Sequence, residues 1–192
     1  MSTNSNAIIP KTDDPICQGD IYKNVRYNYV DNDDGDTVRI MELEFPYAVI
    51  ISQACDVIAM EQMFANKSGK VTKYMPSVLL CPIYDKALAK SGEHIKDILA
   101  ELSIQVDDET TYKTDDYKVA ERDWHYRFHA LTVSVGNEIV LQNDIIDFKH
   151  YFTLPMSYLV AHKKDRILHL NDLFAEQLTL KYCTFLSRVA IL

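Results

Sequence analysis

Glycine is scarce in this chain, with five among 192 residues. That scarcity fits the absence of a Walker loop, of a dinucleotide fingerprint and of a Gly-x-Ser-x-Gly elbow, and it argues against glycine-rich phosphate cradles. The four cysteines, Cys17, Cys55, Cys81 and Cys183, are widely spaced and include no Cys-x-x-Cys pair. They suggest neither a zinc site nor a disulfide framework, and a chain of this length buries a core without such staples. No apolar run reaches the ~20 residues that cross a bilayer. The opening MSTNSNAIIPKTDDP is too polar for a secretory signal. These absences predict a cytoplasmic protein with free thiols and no membrane partner.

Basic residues are outnumbered too, and the net charge is −8. Phosphate backbones are held by clustered Lys and Arg, so RNA is disfavoured as a partner and stays open only through a local basic groove. The densest basic group, 162–166, reads as a solvated turn. What remains is ordinary globular composition, 47% hydrophobic and 25% charged, enough for one domain.

Along the chain, residues 1–16 read as a flexible arm and 17–192 as a single domain. Residues 18–30 alternate in polarity, as a half-buried strand does. DNDDGD (31–36) fails the calcium-loop pattern and reads as an acidic hairpin tip with Gly35 at positive φ. TVRIMELEF (37–45) is a second strand, and Pro46 is expected to break the ladder before the apolar run YAVIIS (47–52). Residues 56–70 suggest a short helix or an irregular excursion, and 76–85 a buried strand ended or bent at Pro82. A helix is expected over 86–104, where Ile95, Ile98, Leu99 and Leu102 form an apolar stripe. It opens a helical and acidic insertion at about 86–123, polar over 105–123. Strands return over 126–134, 138–154 and 166–171, with a turn at Gly136-Asn137. The chain closes in an amphipathic helix over 172–191, with Asp172 as its N-cap.

GDIYKNV (19–25), PYAVIIS (46–52) and SVLLCPIYD (77–85) resemble the barrel strands of the MazF/PemK-type toxins, which are ribosome-independent endoribonucleases. A second resemblance, carried by VIISQACDV (49–57), DFKHYFTLPMSYL (147–159) and LTLKYCTFLSRVAI (178–191), is to an uncharacterised bacterial family with a Ser-Gln-x-Cys-Asp signature and a closing Arg-Val pair, here Arg188-Val189. The toxin resemblance implies an α+β fold, an SH3-like small β-barrel with a helical insertion and a C-terminal helix. It also implies a catalytic arginine just before the Pro-led strand and a Thr or Ser just after the Pro-Ile. Phe45 stands at the first position, and Tyr84 and Asp85 at the second. Without the arginine, the charge that develops during RNA cleavage loses its main stabiliser.

The candidate polar cluster at the end of the apolar run is Ser52, Gln53, Cys55 and Asp56. A catalytic thiol needs a histidine base, and with none near in sequence the candidates to be brought close in space are His125, His129, His150 and His169. The competing reading makes Cys55 a small buried residue, Asp56 a cap, and Ser52 and Gln53 partners for backbone groups at the strand's end. Glu121, His125 and His129 would bind zinc only on a helix. In a strand the two histidines are about 13 Å apart, too far for one ion, so no metal or cofactor is expected. Arg122, Trp124, Tyr126 and Arg127 interleave cations and aromatics and form a candidate binding surface.

The chain is therefore expected to be a non-catalytic binding or partner subunit of a bacterial toxin-like or phage-defence-type system, pairing with a protein partner or with itself. The alternative is a MazF/PemK-like endoribonuclease or other hydrolase with a rearranged site around Ser52, Cys55, Asp56 and Tyr84, with Arg26 or Arg127 as its cation.

Overall fold

The computed structural model describes residues 4–32, 38–105, 118–119, 122 and 125–187. Among them the chain is a mixed α/β protein built on one large, mostly antiparallel sheet of eight strands. These are β1 (Asn4–Ile8), β2 (Asp20–Asn32), β3 (Val38–Ile50), β4 (Val78–Tyr84), β5 (Phe128–Val135), β6 (Glu138–Asp147), β7 (Phe152–Leu154) and β8 (Arg166–Leu170). The helices are α1 (Ala54–Asn66), α2 (Lys86–Ser91), α3 (Lys96–Glu101), α4 (Met156–Ala161) and α5 (Asp172–Leu186).

Strand order is β3-β2-β8-β1-β5-β6-β4, and β4 pairs with β3 again, so the pairing runs round a closed circuit. β4 meets β3 on one edge and both β6 and β7 on the other. Side chains alternate between two buried clusters, because a strand turns successive residues to opposite faces. Ala48 and Ile50 enter one cluster with Leu80, Phe128 and Ile145. Val49 and Ile51 enter the other with Cys81, Leu131 and Ile146. Residues of α1, α2 and α4 cover the first cluster, and Phe174, Ala175, Leu178 and Tyr182 of α5 cover the second. Burial on both faces explains the unbroken apolar runs.

Both prolines leave their strands intact. β3 runs through Pro46, which faces Asn24 at a gap in the β2–β3 bridges, where Asn24 has φ 52°. A missing donor costs nothing where no ladder bond is made. Pro82 sits in β4 between the stretches that pair with β7 and β6. The amino-terminal stretch is no loose arm either: β1 lies between β8 and β5, parallel to the latter, and Ile16 is fully buried.

The expected helix over 86–104 is divided. Gly92, at φ 79°, ends α2 and sends the chain through a 3-10 turn (Glu93–Ile95) into α3. The final helix is capped by Asn171, whose side chain accepts from Phe174 N, and not by Asp172. The hairpin turn at Gly136-Asn137 joins β5 to β6 as expected. Gly35, most of the acidic stretch 105–123, Trp124 and Arg188-Val189 lie outside the described residues. No helix among the described residues is long and apolar enough to cross a membrane.

Gly19 fixes how α5 meets the sheet. Its φ is 83°, and a Cβ there would sit 2.7 Å from Ala175 Cβ. Any other residue is therefore both strained and in collision.

Candidate functional site

Alternation along the β2–β3 pair sets Tyr27 opposite Leu43 and Val25 opposite Phe45 on one face. Phe45 stacks on Phe152 at 4.7 Å between ring centroids, and Tyr27 lies 5.3 Å from the same ring. With Tyr29, Tyr151 and Tyr84, these rings wall a cavity of about 310 Å³, closed on another side by Ile95, Ile98 and Leu99. That volume is at the lower end of small-molecule sites.

One end of the cavity is polar. Tyr84 Oη lies 3.1 Å from His150 Nδ1, and His150 Nε2 lies 3.5 Å from Asp147 Oδ2. Arg127 donates to both carboxylate oxygens, from Nε to Oδ1 at 2.8 Å and from Nη2 to Oδ2 at 2.6 Å. His94 packs edge-on against Tyr84 at 4.5 Å, with its ring 5.9 Å from that of His150. The elements explain the convergence. Asp147 ends β6 and accepts from Lys149 N, starting the 3-10 turn (Phe148–His150) that carries His150. Tyr84 ends β4, and the turn after Gly92 presents His94.

Burial lowers the pKa of His94 to about 4, helped by His150. Burial also lowers that of His150, against the attraction of Asp147. For Asp147 burial is the largest single influence and acts upward, but the Arg127 hydrogen bonds, together with the charges nearby and the Lys149 amide, hold the carboxyl below its ordinary value. At neutral pH the site therefore holds two uncharged imidazoles beside an ionised carboxylate paired with a guanidinium. One donor atom each from His94, Asp147 and His150 lies within 4.8 Å of the other two, a set able to hold a metal ion.

Of the residues the sequence singles out, Tyr84 lines this cavity and Arg127 supports its polar end. Ser52, Cys55 and Asp56 lie at the other end of the β3–β4 pair, because β3 and β4 are antiparallel. Ser52 Oγ accepts from Leu79 N at 2.8 Å, the backbone role expected of it. Gln53 is the N-cap residue of α1 but makes no side-chain cap bond, and Asp56 sits in the first turn. Cys55 is exposed, contrary to the buried reading, and its thiol faces Asp56 Oδ1 at 3.6 Å with no histidine partner. The clamp at this end is Gln18, which accepts from Ala54 N and donates to Ala175 O and Thr179 Oγ1.

The candidate surface of cations and aromatics is divided. Arg122 and Tyr126 are exposed, and Tyr126 stacks on His125, whereas Arg127 turns inward to Asp147. Arg26 pairs with Glu42 and Glu44 at the surface. His125 Nδ1 accepts from Arg127 N and Phe128 N, while His129 meets Lys181. The basic run at 162–166 is no solvated turn throughout: Arg166 is buried against Asp20 and the carbonyls of Lys11, Asp14 and Pro15.

Sequence reasoning missed His94 and Asp147 altogether and met His150 only as a distant base for Cys55. The local signal was the i, i+3 spacing of Asp147 and His150. No protein family, curated protein or solved structure matches the chain.

Proposed function

We propose that this chain is a non-catalytic binding domain that takes a small planar, ring-bearing molecule into the aromatic cavity. The observation that carries this reading is the cavity's composition: stacked rings on its walls, with the Tyr84–His150 pair at one end. Aromatic walls hold a flat ring through its faces, and one convergent polar group fixes its orientation. A nucleobase has this shape and polarity, and the net charge of −8 favours an uncharged nucleoside over a polyanionic strand. Such a domain would serve as the ligand-sensing or partner subunit of a toxin-like or defence-type system. The MazF/PemK-like barrel reading draws support from β2, β3 and β4, the strands of the resemblance, which pair in sequence order.

Calorimetric titration with adenosine, guanosine, cytidine and uridine tests the binding reading. At least one should bind with a stoichiometry of one, and Phe45→Ala should weaken it by about fivefold or more, the low end of a base–aromatic stack being about 1 kcal/mol. Failure of all four contradicts the reading.

A hydrolase is the second reading, supported by the chain of contacts from Tyr84 through His150 to Asp147, which orients an imidazole as a general base is oriented. RNA cleavage by purified protein, abolished in a folded His150→Gln variant, would replace the binding reading with this one.

A further inference from the structure

The polar end of the cavity has a geometry that the binding of a flat ring does not require. His150 Nε2 and Asp147 Oδ2 are 3.5 Å apart, long for a hydrogen bond. That spacing is close to the ~3.3 Å between two ligands that each lie 2.0–2.1 Å from a tetrahedral zinc ion. A ring nitrogen of His94 completes a set whose members are all within 4.8 Å of one another. We propose that His94, Asp147 and His150 bind one divalent transition-metal ion of the zinc class, with its remaining coordination position open to the aromatic cavity.

The surrounding contacts suit ligands of this kind. Metal-bound imidazoles are held through their second ring nitrogen, and Tyr84 Oη lies 3.1 Å from Nδ1 of His150. Arg127 occupies Asp147 Oδ1 and shares Oδ2, so the carboxylate is presented through a single oxygen. Two nitrogens and one oxygen, with the negative charge already shared by Arg127, do not suit magnesium or calcium, which need many oxygen ligands. Imidazole-rich sets suit zinc, cobalt, nickel and copper.

The site is independent of what fills the cavity, and its test uses no nucleoside. Chelator-treated full-length protein is titrated with Zn²⁺ by calorimetry and with Co²⁺ by visible absorption. One ion per chain is expected, with a cobalt d–d band and no sulfur charge-transfer band. His94→Gln and His150→Gln, checked for folding by circular dichroism, should each lose the stoichiometric site, and Tyr84→Phe should weaken it by about tenfold. The wild-type cobalt spectrum reports on the ligands even if a variant fails to fold. No stoichiometric binding to the folded wild type would overturn the proposal. So would binding that survives both histidine changes, or a thiolate band that disappears with Cys55→Ser or Cys183→Ser.

Discussion

Arg127 grips Asp147 through two parallel hydrogen bonds, Nε to Oδ1 at 2.8 Å and Nη2 to Oδ2 at 2.6 Å, and the carboxylate is fully buried. The pair joins the start of β5 to the end of β6 and sets the carboxylate beside His150. Replacing one partner of such a pair strands the other charge inside the protein. Arg127→Met should therefore destabilise the fold by about 3 kcal/mol or more. The Arg127→Met/Asp147→Leu double variant should recover part of that loss. Urea unfolding of the three proteins measures both effects.

Ser52 and Cys55 give a contrasting case. Ser52 satisfies the Leu79 N–H, and Cys55 is exposed with Asp56 as its neighbour. Ser52→Ala should cost about 1 kcal/mol through the orphaned amide, and Cys55→Ser should leave stability unchanged. Neither should alter nucleoside titrations, whereas Tyr84→Phe should. Loss of ligand binding in Cys55→Ser would move the functional centre to the Ser-Gln-x-Cys-Asp cluster.

Asp144 supplies a pH dependence of unusual sign. Burial, reinforced by repulsion from Asp85, raises its pKa from 3.8 to about 6. The folded state thus binds this proton more tightly than the unfolded chain, and the associated stability is lost as pH rises between those two values. Asparagine mimics the protonated form. Asp144→Asn should stabilise the protein by about 1 kcal/mol near pH 7.5, after discounting for solvent screening, and by almost nothing near pH 4. Unfolding curves at the two pH values measure the difference.

His169 titrates with the ordinary sign for a paired histidine. Its hydrogen bond to Asp20, with Nδ1 2.8 Å from Oδ1, raises its pKa against the effect of burial. The stabilisation is complete below the ordinary value of 6.5 and fades as pH rises through the raised folded value. His169→Gln should lower the melting temperature at about pH 5.5, and the deficit should shrink by about pH 8.5.

Much of the sheet could be read from the sequence because side-chain polarity there follows the pleat. The runs at 47–52 and 76–85 gave β3 and β4, and Gly136-Asn137 gave the β5–β6 turn. The errors have local causes. NSNAI (4–8) is too polar to read as a strand, yet it pairs on both edges. Pro46 and Pro82 read as breaks, but Pro46 falls at a gap in the β2–β3 bridges and Pro82 stays in register opposite Ala48 of β3. The cavity was illegible for a different reason: Tyr84, His94, Arg127 and the Asp147–His150 turn come from separate segments of the chain, and β6 brings three of them together by pairing with both β4 and β5. Phe45 read as a missing arginine; in the fold it is a wall of the cavity.

The proposed binding function requires the aromatic cavity, and not the Ser-Gln-x-Cys-Asp cluster, to receive the ligand. Backbone amide chemical shifts, followed by NMR during titration with the tightest-binding nucleoside, test it most directly. Binding in the cavity should concentrate the shifts at Tyr27, Phe45, Tyr84, Ile95 and His150 to Phe152. Shifts concentrated at Ser52 to Asp56, or none at saturating nucleoside, would contradict it.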